Sequence, residues 1–429
     1  MGKVRGVASK GVRGGRSTLA FGGMVLLAAV VHVAACKSEA TEEPSDAGPD
    51  DASLVSTDAA PSGNDGGPVT ATEAGAKDGS TRDVAVVTGP CDLGDGTPKD
   101  LECTGLYANF ATKTIAATAL PYAPSHELWS DGAKKSRWIE IPAGKKIDVT
   151  NLNAWTFPVG TKVWKEFRLV EGARERRIET RFMVKLEDES WYRVSFAWSA
   201  DESTTTQVAD GVEKVANTAD YGIPGTGACE RCHNGRTDNL LGFETLLLAS
   251  PGATGLTFSE LEKKGWLQST NGNHLLDAGA LAFPGTAVES AALATLHVNC
   301  GVSCHNSNDG SSRFKLDVLL DGGVVPAVKD TRAFKEGVNQ ESGYRPRGDD
   351  GGIVGGDENT TFYRLRPTDP AHSTIHYRMV HRNTPASNQI AMPPLASRQP
   401  DTAGGDAVRA WVEAMTPANG YPAPASLTP

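Results

Sequence analysis

Two short clusters restrict what this 429-residue chain can fold around: Cys229-Glu230-Arg231-Cys232-His233 and Cys300-Gly301-Val302-Ser303-Cys304-His305. The first is C-x-x-C-H, the spacing by which c-type haem is attached. The second is the same pattern with one residue more. The chemistry requires this order. Two thiols must reach the two vinyl groups on one edge of a flat macrocycle, and the next residue must turn an imidazole toward the iron. A short helical turn does both. A fold built on these clusters needs a slot beside each histidine, not solid packing.

Other uses of the same residues make different demands. A thioredoxin-like pair belongs in a βαβ context, and none is visible. Zinc ligands come as spaced pairs, whereas each histidine here adjoins its cysteine, a poor geometry for one tetrahedral ion. Iron–sulfur binding wants four thiolates at set spacings. The chain has seven cysteines in all, so two such clusters are not expected by chance. The reading is haem c at both, two per chain, with the extra residue of the second cluster bulging. A non-haem structural or binding protein with these cysteines in disulfides is the rival.

The chain starts with Lys3, Arg5, Lys10, Arg13 and Arg16, then an apolar run from Leu19 to Ala35. That layout is a secretory signal, and the run is short for a span of ~20 apolar residues. Val33-Ala34-Ala35-Cys36 resembles the lipobox of bacterial lipoproteins. The resemblance implies that Cys36 is lipidated and becomes the first mature residue. Lys37 beside it is compatible with delivery to the outer membrane.

From Lys37 to Val87 eleven acidic residues face three basic ones, and no aromatic occurs between Phe21 and Tyr107. Such a segment cannot bury enough apolar surface to offset its ordering entropy; it reads as a flexible tether. Loss of the signal would take the formal net charge from −10 to about −15, which argues against nucleic acid as a partner. Cys91 and Cys103 are left as a pair flanking a short loop, and a disulfide is expected there.

In the middle region strand signals dominate. Lys162 to Leu169 follows a turn at Phe157-Pro158-Val159-Gly160-Thr161. Phe182 and Val184 alternate with Met183 and Lys185, and after a polar turn Tyr192, Val194, Phe196 and Trp198 share one face. Period-two patterns joined by short turns indicate antiparallel strands with a buried face. Alternation puts Lys165 on the same side as Phe167 and Leu169. A buried lysine needs a partner, either Glu179 in an ion pair or the first haem.

Leu128-Trp129-Ser130-Asp131-Gly132-Ala133, Arg137-Trp138-Ile139, Phe157-Pro158-x-Gly160-Thr161, Lys165-x-Phe167, Glu179-Thr180-Arg181 and Cys229-x-x-Cys232-His233-Asn234 together resemble a family of exported bacterial proteins, largely uncharacterised and described as haem-containing. The order is also similar to the β-sheet c-haem cytochromes, namely cytochrome c-prime-beta and the hydroxylamine-oxidising cytochromes with a lysine–haem crosslink. The resemblance implies a β-rich domain that ends in its haem site, with His233 on the iron. For the sixth position Met183, His126 and His274 are candidates without a spacing argument.

Further on, Ser290 to Asn299 reads as a helix leading into Cys300. Ala391-Met392-Pro393-Pro394-Leu395 is a stiff loop, and Asp406 to Met415 is an amphipathic helix with Val408, Trp411 and Val412 in register. This resembles a class I cytochrome c domain. The resemblance implies His305 as proximal and Met392 as distal ligand, with Met379 and His381 as rivals. In all, 86 residues separate His305 from Met392, many in a Gly-rich insertion near Asp321 to Gly356. His297 reads as a surface or core-edge residue.

The fold class expected is α+β: a signal peptide (1–35), an acidic tether (36–90), an antiparallel β-rich domain (91–284) and an all-α cytochrome c-like domain (285–417). The function expected is electron transfer in the cell envelope, periplasmic or at the outer membrane. The partners would be donor or acceptor proteins, and the membrane through the lipid anchor. A haem enzyme acting at the first site on peroxide, hydroxylamine or nitric oxide is the alternative.

Overall fold

The computed structural model describes residues 91, 97–218, 220–270, 281–308, 312–348, 350–382 and 391–428. The expected signal segment, Cys36, the whole tether and His274 lie outside them. Residues Asp83–Pro429 form one compact unit, and its architecture is α+β.

Strands β1 (Tyr107–Asn109) and β2 (Thr114–Ile115) pair with each other. The main sheet has seven strands: β3 (Leu120–Ala123), β4 (Lys134–Glu140), β6 (Lys162–Glu171), β7 (Arg174–Lys185), β8 (Trp191–Trp198), β9 (Thr205–Gln207) and β10 (Thr254–Gly255). Its order is β10-β3-β4-β6-β7-β8-β9, antiparallel throughout. Short strand β5 (Ile147–Asp148) pairs in parallel with β11 (Leu267–Gln268) outside this sheet.

Strand alternation gives the sheet two different faces. On one, register stacks Trp164, Phe182 and Val194 across β6, β7 and β8. These join Phe196 and Trp198 in a core closed by Leu101, Leu106 and Tyr107. A disulfide joins Cys91 to Cys103, which lies within that covering segment; closing a loop of this length is worth about 3 kcal/mol. The other face carries Arg137, Val163, Lys165, Arg181 and Met183, and it faces the helical part of the chain across a cavity.

The helices are α1 (Thr226–His233), α2 (Thr245–Ala249), α3 (Phe258–Lys263), α4 (Ala287–Leu296), α5 (Arg332–Gly337), α6 (Thr374–Val380) and α7 (Thr402–Ala414). Helix α4 opens with a capping box of Thr286 and Glu289, which satisfies two orphan N–H groups at once. Its Leu293 and Leu296 are fully buried, as are Val408, Trp411 and Val412 of α7, on which it packs. Residues 285–417 are not helical throughout: β12 (Glu341–Ser342) and β13 (Phe362–Tyr363) pair beside the helices, flanking much of the Gly-rich stretch.

One apolar core runs from Tyr122 and Ile139 in the sheet to Trp411 and Tyr421 near the end of the chain. The loop Leu128–Ala133 ties the two halves further. Trp129 N donates to Asn299 Oδ1 (2.7 Å), and Asp131 accepts from the Arg398 and Gln399 amides.

His297 is another tie, and it corrects the surface or core-edge reading. It is fully buried. Val318 N donates to its Nδ1 (3.0 Å), so Nε2 donates to Glu244 Oε1 (2.6 Å), while Arg236 holds the other oxygen at 2.5 Å. Burial alone would raise the Glu244 pKa, but Arg236 and His297 outweigh it and pull it down to about 2. A depressed carboxyl contributes stability above its unfolded value, near 4.5, that is lost as pH falls through the folded one. Glu244→Gln is therefore expected to cost about 3 kcal/mol at pH 7 in urea unfolding, and little at pH 2. An equal deficit at both pH values would contradict this assignment.

Candidate functional site

Helix α1 carries the first cluster. Positions i, i+3 and i+4 share a helix face, so Cys229, Cys232 and His233 look the same way. All three line the cavity against the sheet, with Val163, Lys165 and Met183 beyond. The helix buries none of its eight residues fully. Eight residues are too few to hold a helix without packing. Its start is pinned instead by Thr226 N donating to Ala209 O (2.8 Å).

His233 is aimed by its second nitrogen. Nδ1 donates to the Asn239 carbonyl at 2.6 Å, which leaves Nε2 for another partner. Asn239 has φ 58°, the left-handed region that asparagine tolerates. Burial pushes the His233 imidazole down to about 3, so it is held neutral, the form that binds metal. The turn after the helix is anchored by Asp238. Its carboxylate accepts from Phe157 N (2.5 Å), Lys185 Nζ (2.9 Å) and Trp191 Nε1 (3.0 Å), all in the interior.

The second cluster leaves α4 through a widened turn at His297–Gly301. Val302 N reaches back five residues to His297 O (2.7 Å), and His305 N to Cys300 O (2.8 Å). Single π-type turns of this kind hold one extra residue. The additional residue of C-x-x-x-C-H is absorbed there, and Cys300 and Cys304 line one cavity with His305. His305 Nδ1 donates to Ser312 Oγ at 2.7 Å and Phe314 O at 3.0 Å, the hydroxyl in turn donating to the same carbonyl, so this imidazole too is held through Nδ1. Met392 lines this second cavity, with Pro393, Pro394 and Leu395; Met379 and His381 are not part of its wall. The Cys300 thiol is fully buried, which pushes it up to about 12.

The two clusters touch, and no pattern in the sequence signals this. The neighbouring Cys304 thiol, together with burial, raises the Cys232 thiol. A Cβ on Gly235 would lie 1.6 Å from Ser303 O, so the chain after His233 rests on the peptide between Cys300 and Cys304. The two cavities share Cys232, Asn299, Ser303, Pro393 and Leu395 as walls.

At each position two thiols and an imidazole with a committed Nδ1 stand on one wall of a cavity, the donor set that a c-type haem would use. The second cavity measures about 500 Å³ and the first about 130 Å³. As its side chains stand, the first is smaller than a macrocycle would need. Of the sixth-ligand candidates there, Met183 and His126 both line the cavity. Among the described residues no three His, Cys, Asp or Glu side chains are grouped to hold a bare metal ion, as a zinc site would require.

The Lys165–Glu179 ion pair does not form. Register puts Arg181 opposite Lys165, and the Glu179 carboxylate is taken by Arg181 (2.9 and 2.7 Å) and Tyr221 OH (2.7 Å). No family model, curated protein or solved structure matches the chain.

Proposed function

We propose that this chain holds two haem c groups and passes electrons between partners in the bacterial cell envelope, tethered by lipid at Cys36. Cys229, Cys232 and His233 would hold the first group. Cys300, Cys304 and His305 would hold the second, with Met392 as its distal ligand in a cytochrome c-like setting over residues 285–417. The observation that carries the reading is the pair of carbonyl-anchored imidazoles, each beside two thiols on a cavity wall, in segments that meet at Gly235 and Ser303.

A bound haem would supply reversible one-electron chemistry, and a thioether ligand would raise its potential. The protein's own part is positional. The Asn239 and Phe314 carbonyls fix the tautomer and aim of each imidazole, as second-shell partners of metal-bound histidines do. Basic donor or acceptor proteins suit the acidic chain.

Chemistry on a small molecule at the first haem is the second reading, favoured by the cationic side chains in that cavity. Cyanide and nitric oxide added to reduced, matured protein separate the two. A pure relay is expected to show no spectral shift at either haem; a shift at the first haem alone would favour the enzyme. Protein that takes up no haem in a pyridine haemochrome assay would end both readings and leave the disulfide-bearing structural protein.

A further inference from the structure

The sheet face that bounds the first cavity carries three cations in a row. Register sets Arg137 of β4 opposite Lys165 of β6, and Lys165 opposite Arg181 of β7. All three line the cavity together with His233. Like charges directly opposed across strands destabilise a sheet. Two of the three are compensated: Arg137 by Glu127 at 2.6 Å, and Arg181 by both oxygens of Glu179. Lys165 is not. Among the described residues its Nζ has neither an ion pair nor a hydrogen bond, and its close neighbour is the Phe167 ring at 4.9 Å. Burial, then the two guanidiniums, push its ammonium well below the ordinary value. A methionine would fill the same space without opposing like charges across the strands.

We infer that Lys165, held between Arg137 and Arg181, receives an anionic oxygen group in this cavity, a carboxylate or a small oxyanion. Charge-assisted bonds to such a group would give Lys165 the partner it lacks and offset the row of like charges. The group has two possible sources. One is a propionate of the haem proposed at His233, which rests on the di-haem reading. The other is a free anion that diffuses in, which does not.

The test uses the full chain in two preparations, matured with the c-type haem machinery and made without it. Wild type, Lys165→Met and Lys165→Arg are titrated with nitrite and with formate by calorimetry, and the matured forms are examined by resonance Raman spectroscopy. Lys165→Met is expected to melt no lower than wild type, so it reports on binding and not on folding. For a free anion, matured wild type binds a probe, Lys165→Met weakens it at least about tenfold, and Lys165→Arg retains it. For a propionate, only the unmatured protein binds the probes, and the propionate bending bands of matured protein shift in Lys165→Met. If neither preparation binds either anion and those bands are unchanged, the inference is overturned. Failure of the di-haem reading would show separately as absence of haem, and the unmatured titrations would then decide the question alone.

Discussion

Gly235→Ala is expected to cost at least about 3 kcal/mol of stability and to part the two Cys-Cys-His segments. The added methyl would sit 1.6 Å from Ser303 O and 2.8 Å from Ser303 C. Both are backbone atoms, so no rotamer change relieves the clash; one segment must move. On one side is α1, whose end is fixed by the Asp238 turn. On the other is the π-type turn, whose Gly301 lies so close to the Asp317 backbone that a Cβ there would come within 2.6 Å. Neither has slack. In matured protein the same variant should slow electron exchange between the proposed haems, because Gly235 and Ser303 are where the two segments meet. Urea unfolding and flash-induced electron transfer measure the two effects. An alanine protein within about 1 kcal/mol of wild type would mean that the segments do not touch.

Asp238→Ala is expected to be comparably severe, at about 3–5 kcal/mol, the usual loss when one partner of a buried ion pair is removed. Lys185 is only 3 % exposed and would keep a single acceptor, the Phe157 carbonyl at 2.9 Å. The Phe157 amide and the Trp191 indole would lose their acceptor as well. The loss bears on the site, because Asp238 precedes Asn239, whose carbonyl aims His233. Removing the stranded charge in the double variant Asp238→Ala/Lys185→Met should restore much of the stability. A double variant as unstable as the single one would show that the deficit comes from something other than the buried ammonium.

The strands of the main sheet were legible because one face is plainly apolar. Phe182 and Val184, then Tyr192, Val194, Phe196 and Trp198, recur at every second position, and period two needs no tertiary information. The opposite face was not legible. Lys165, Arg181 and Met183 are a mixed set whose meaning depends on register, and register is non-local. A bulge between Phe167 and Arg168 shifts the pairing further along β6, while Arg181, not Glu179, stands opposite Lys165. His297 was misplaced for a related reason: its partner Glu244 is 53 residues away.

The two clusters announced themselves by spacing, and the extra residue in the second pointed to a bulge, found as a π-type turn. Their mutual contact had no local signal. It depends on Gly235, one of 47 glycines, at a position where only the approach of Ser303 explains the missing side chain.

Covalent mass mapping of peptides from protein matured in a haem-loading host bears most directly on the whole account. One haem is expected on the peptide bearing Cys229 and Cys232, and one on the peptide bearing Cys300 and Cys304. Both peptides at bare mass, with their thiols free or paired in disulfides, would contradict it.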